Sequence, residues 1–120
     1  MLLGNANLWR AGCLLGATAI LTGAFGSHGL KARLGPKADP SRIEAWKTAA
    51  HYQLVHAVAT CVAVSAKRSP LAGSLFVAGS ILFSGSIYAL VWGQDKYRFL
   101  GPVTPLGGVA LIGGWLAMLL

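Results

Sequence analysis

The sequence predicts an all-α integral membrane protein, a four-helix bundle of up-down topology with short loops. Three observations carry that prediction. Of 120 residues, 55% are hydrophobic and 11% charged, with a mean hydropathy of +0.62, whereas a soluble domain carries about a quarter of its residues charged. The apolar residues gather into four runs, about 8–28, 48–66, 71–92 and 101–120. Each is close to the roughly 20 residues that cross a hydrocarbon core of about 30 Å. Finally, the basic residues sit almost entirely between the runs. A single domain, 1–120, follows.

The first run, Leu8 to Phe25, is broken only by Arg10 and Thr18. Gly12-x-x-x-Gly16 lies on it, and Ala19 and Gly23 extend the small face, so a second helix can approach closely. A signal peptide is the competing reading, with Arg10 as its basic region and Ala24-x-Gly26 as its cleavage site. Gly26 and Gly29 flank His28, which predicts a turn that aims the imidazole back toward the second helix.

Lys31 to Lys47 forms the long loop, with Pro36 and Pro40 as breakers. Ser41-x-x-Glu44 has capping-box spacing and is expected to start the second helix. Residues 41–50 then read as an interfacial start, with Ile43, Trp46 and Ala50 as an apolar stripe and Arg42, Glu44 and Lys47 toward water. That helix enters the membrane near His51 and ends before Lys67-Arg-Ser-Pro70. The third run carries Gly73, Ser80 and Ser84 as small residues, and Trp92, Tyr97 and Phe99 flank the polar turn that follows, as an interfacial belt does. Gly101-Pro-Val-Thr-Pro105 opens the fourth run, where Gly107 and Gly108 supply a second small face. Cys13 and Cys61 lie inside apolar runs and read as packing residues.

The net charge is +7, with no soluble domain to present a basic face, so nucleic acid is not expected as a partner. The lipid bilayer is, with anionic headgroups at the basic loops. Loops 31–47 and 93–100 hold seven Lys and Arg, against three for the N-terminal segment and loop 67–70. Basic loops stay on the cytoplasmic side, or the matrix side of a mitochondrial inner membrane. Both termini are then expected on the opposite side of a bacterial or mitochondrial inner membrane.

One stretch, Trp46 to Thr60, brings several polar side chains into an apolar run. At 100° per residue Tyr52, Gln53, His56 and Thr60 share one sector, opposite Leu54, Val55, Val58 and Val62. The topology brings further polar residues toward the same half of the membrane: His28, Ser84, Ser86, Tyr88 and Thr104. One reading is a hydrogen-bond network that fixes helix register. The other is a pocket, open to the basic side, for a small ligand, a lipid headgroup or a proton. No metal or other cofactor is expected, because no acid or cysteine completes a shell around His28 and His56. No enzymatic activity is expected either, since the three acids lie in loops or at a helix start and standard catalytic spacings are absent. A Ser84 or Ser86 pair with His56 would lack an orienting acid.

Gly23-Ala-Phe-Gly-Ser-His-Gly-Leu-Lys31, Trp46-Lys-Thr-Ala, Tyr52-Gln53-x-x-His56, Phe83-Ser-Gly-Ser-x-Tyr88, Val103-Thr-Pro-x-Gly-Gly108 and Gly114-Trp115 occur in that order. Together they resemble the transmembrane protein 256 family, small membrane proteins with a domain of unknown function. The resemblance covers nearly the whole chain and implies a four-helix integral membrane protein with no settled activity. His51 lies outside its motifs. The function expected is that of an accessory or interaction subunit in a membrane complex, bound through the glycine faces to another membrane protein or a second copy. The alternative is a carrier of a small ligand or of protons that uses the polar residues around His56.

Overall fold

The computed structural model describes residues 4–120, apart from the side chain of Gln94. In chain order it contains α1 (Asn5–His28), α2 (Leu30–Leu34), α3 (Pro40–Ser65), α4 (Pro70–Gly93), a 3₁₀ segment (Gln94–Leu100) and α5 (Val103–Ala117), with no strand among the described residues. The molecule measures 47 × 26 × 21 Å.

The helix starts follow local chemistry. Asp39 caps α3 by accepting the Ser41 backbone N–H at 3.0 Å, and Pro40 takes the first helical position, where it has no N–H to lose. The cap is therefore Asp39 and not the Ser41–Glu44 box, because Pro40 advances the helix start by two residues. The Ser41 backbone N–H also holds the exposed Asp39 carboxyl below its ordinary range. The same device opens α4: Ser69 Oγ accepts the Ala72 N–H at 3.1 Å, and Pro70 follows it. Between them Arg68 takes a positive φ of 49° in the turn out of α3.

The chain breaks at Gly29, as the flanking glycines predict, but the break does not aim His28 back toward α3. Helix α1 runs through His28, Gly29 stays right-handed (φ −106°), and α2 begins at once. Gly26 serves a different purpose: a Cβ there would lie 2.6 Å from Trp46 Cδ1. It is a point of close approach between α1 and α3, and His28 is left exposed.

Each long helix runs antiparallel to the one before. Gly12 of α1 lies against Ala57 and Cys61, while Gly23 faces Ala50. Ala49 of α3 meets Ser84 of α4, and Val64 meets Gly73. Gly107 of α5 sits against the backbone of Phe83, and Gly114 against Phe76. α3 packs on α4, α1 chiefly on α3 and α5 chiefly on α4, and Ala59, Ala63, Ala72, Phe76 and Leu111 form one core cluster. The fully buried side chains include Leu8, Phe76, Thr60 and Ser84.

By length and composition two helices suffice to cross a membrane, α1 and α4. Only 17% of the apolar window of α1 is buried, and 39% of that of α4. A core helix of a soluble protein would be mostly covered. Leu14, Ile20 and Leu21 of α1 and Ile81 of α4 face outward instead. α3 is 26 residues long, but its polar residues lower its hydropathy. α5 has 15 residues, about 22 Å at 1.5 Å per residue, short of a full core thickness. One further turn, closed by Leu120 N–H to Ala117 O, extends it.

Candidate functional site

Helix α3 directs its polar residues to two different places. The first lies between α1, α3 and α4. Gln53 is buried, and its amide nitrogen donates to the Leu15 carbonyl (2.9 Å) and to Thr18 Oγ1 (2.7 Å) on α1. Its amide oxygen accepts from the Tyr88 hydroxyl of α4 at 2.7 Å. That hydroxyl also lies 3.0 Å from Thr22 Oγ1, and Trp46 Nε1 donates to the Thr22 carbonyl at 2.8 Å. Three helices are thus tied by one amide and one phenol, with both N–H donors of the amide used and its oxygen accepting one bond. Trp46, read as part of the apolar stripe of the interfacial start, is buried, its ring tilted against Tyr88 with centroids 4.7 Å apart.

The second place centres on His56. Its Nδ1 lies 2.7 Å from the Tyr52 carbonyl, which only accepts, so Nδ1 carries the ring proton. Nε2 is then free to accept, and Trp115 Nε1 of α5 donates to it at 3.0 Å. The neutral imidazole is fixed in one tautomer between two helices. Rings surround it: Tyr52 stacked at 5.9 Å, Phe76 tilted at 5.6 Å and Trp115 edge-on at 5.9 Å. Tyr52 stacks in turn on Phe83, at 4.9 Å.

Because α5 leans on α4, a groove stays open between α3 and α5. Its volume is about 510 Å³, and His56, Phe83 and Trp115 line it together with His51, Tyr52 and Val55. A second hollow of about 440 Å³ shares His51, Val55 and Trp115 and continues past Val58 and Val62 to Met118. Tyr52 and His51 are exposed at the groove, and neither side chain has a hydrogen-bond partner among the described residues.

The eight polar residues read from the sequence therefore do not form one cluster. Gln53 and Tyr88 join the first site. Tyr52 and His56 line the groove. Ser84 donates to the Ala49 carbonyl at 2.7 Å, and Ser86 pairs with Thr104 across α4 and α5. Neither serine touches His56, so no nucleophile pair exists, and His28 joins none of these groups. Gln53 and His56 lie only about 60° apart around α3, so a single polar face meets both neighbours, Gln53 reaching α1 and α4 and His56 reaching α5. Missed from the sequence were Thr18, Thr22, His51 and Trp115. A threonine in an apolar helix bonds its own backbone, as Thr60 does to the His56 carbonyl, so nothing in the sequence marks the two that also reach across. Among the described residues no three His, Cys, Asp or Glu side chains gather as a metal site.

Long apolar helices with outward-facing leucines, tied together by buried amide, phenol and imidazole bonds, define a small all-helical membrane protein. The sequence matches the family described as "Protein of unknown function (DUF423)" over residues 22–108. It is 40% identical over 119 residues to a UPF0382 membrane protein of Schizosaccharomyces pombe, covering 93% of this chain and 98% of that one. A UPF0382 membrane protein of Staphylococcus aureus is 39% identical over 114 residues, covering 91% and 88%. The UPF0382 membrane protein YwdK of Bacillus subtilis is 37% identical over 112 residues, covering 88% and 86%. No solved structure matches. The chain belongs to this uncharacterised family of membrane proteins, as the resemblance of its motifs implied.

Proposed function

We propose that the protein is a four-span membrane protein that binds an amphipathic molecule in the groove between α3 and α5. The carrying observation is the groove itself: an aromatic floor around His56, apolar walls, and two polar side chains, His51 and Tyr52, without partners at one end. Pockets that take small molecules combine apolar lining with few polar groups in this way. α3 crosses as a span because the residues that lower its hydropathy, Gln53, His56 and Thr60, are buried and bonded to other helices or to its own backbone. α5 crosses with its final turn and a locally thinned bilayer. The basic loops then face the cytoplasm or matrix, and both termini the other side.

The alternative of an interaction subunit has less support. The glycine faces that would receive a partner helix are occupied within the chain: Gly12 by α3, and Gly107 and Gly114 by α4.

Purification in mild detergent, followed by solvent extraction and mass spectrometry, tests binding. The wild-type protein is expected to retain an amphipathic molecule, and Val55→Trp, which fills the groove from an exposed position, is expected to lose it while keeping its helix content. Retention by both proteins alike, or by neither, would overturn the proposal.

A further inference from the structure

Resting on that reading of the groove, we infer that its occupant is an anionic phospholipid: one acyl chain lies along α3 and α5, and the phosphate sits at His51 and Lys47. The groove is polar at one end only. His51 belongs to both hollows, and Lys47 stands one helical turn above it, exposed. Below His51 the wall is apolar through Val55, Val58 and Val62. Val62 lies eleven residues beyond His51, about 16 Å at 1.5 Å per residue. That is close to half of a core of about 30 Å, the depth of one leaflet. Close approach of a helix from a second copy needs a row of small residues; this wall offers Ala59, itself buried, and Gly108, while Val55, Val58 and Val62 project between them.

Charge points the same way. The polar end of the groove lies on the side that carries seven of the ten basic residues. Two acids lie toward this end of α3, Glu44 two turns above His51 and the N-cap Asp39, and no ion pair binds either to Lys47 among the described residues. Lys47 and the His51 ring therefore have donors available for phosphate oxygens, while the Trp115 ring, already bonded to His56, contributes its face to the chain.

Quenching of tryptophan by bromine on lipid chains reads this site. The full-length protein is reconstituted into phosphatidylcholine vesicles that contain a minor fraction of brominated phosphatidylglycerol or, separately, of brominated phosphatidylcholine. The signal of Trp115 is taken as the difference between the wild-type protein and Trp115→Phe. Phosphatidylglycerol is expected to be enriched about fivefold over phosphatidylcholine at Trp115, the effect of one basic residue near the headgroup. Lys47→Gln with His51→Gln should abolish the preference and leave the helix content unchanged. Equal quenching by both lipids, above their share of the bilayer, would overturn the headgroup assignment and leave the groove as a chain-binding site. Quenching by both in proportion to their share would overturn the groove reading as well. A Trp115 shielded from both lipids, with cross-linked dimers, would assign the groove to a second copy.

Discussion

Gln53 places its donors on α1 and its acceptor toward α4. In a membrane interior each such bond contributes about 0.6 kcal/mol. Gln53→Leu removes three and leaves the Thr18 and Tyr88 hydroxyls short of a partner, so a loss of about 2 kcal/mol is expected. Val58→Leu, on the exposed side of the same helix, is expected to be neutral. Thermal unfolding in detergent measures both, and equal effects would remove Gln53 from its role. That α3 carries the organising polar residues was legible, because an amide and an imidazole stand out in an apolar run. Their partners were not. The Leu15 and Tyr52 acceptors are backbone carbonyls, and which helix meets Gln53 depends on a rotation that composition does not encode. Trp115 reads equally well as an interfacial anchor, and only the tilt of α5 brings its N–H to His56.

At the scale of elements, small residues set how closely the helices approach. Gly107 of α5 lies where an added Cβ would overlap the backbone of Phe83 and come 2.7 Å from its Cα. Backbone cannot step aside as a side chain does, so Gly107→Ala is expected to destabilise by about 1–3 kcal/mol. At Gly113 the nearest atom to a new Cβ is Leu75 Cδ1, an ordinary 3.6 Å away. Gly113→Ala is therefore expected to leave the unfolding temperature unchanged or raised, and a comparable drop in both variants would contradict the assigned crossing. The sequence marked Gly12, Gly16, Gly23, Gly107 and Gly108 alike. Geometry separates them: Gly12 and Gly107 are tight, while Cβ atoms at Gly16, Gly23 and Gly108 would make contacts of 3.7–3.9 Å. The helix starts show the same limit. Asp39-Pro40 and Ser69-Pro70 are one device used twice, and the capping-box pattern that starts two residues after Asp39 gives way because the proline fixes the first helical position.

Taken whole, the molecule has α3 and α4 at its centre, with α1 held chiefly to α3 and α5 chiefly to α4. Its apolar surface is wrapped around the outside: Leu21, Ile81, Val109 and Leu116 belong to three different helices and are all well exposed. Such a surface is stable against acyl chains and not against water. α1 is bonded to α3 through the Thr22 carbonyl and Thr18. The order of helices was legible from the apolar runs. The open edge at α5 was not, since it depends on which face of α4 takes the glycines. Four crossings require that the turn before α3 and the turn after it lie on opposite sides of the bilayer. Ser41 and Lys67 are exposed in those two places. With Cys13 and Cys61 replaced by alanine, Ser41→Cys and Lys67→Cys are introduced one at a time and treated with a membrane-impermeant maleimide in sealed, oriented vesicles. The two cysteines are expected to react from opposite sides, Ser41→Cys from the cytoplasmic or matrix side. Reaction of both from the same side would contradict a membrane-crossing α3, and with it the groove between α3 and α5.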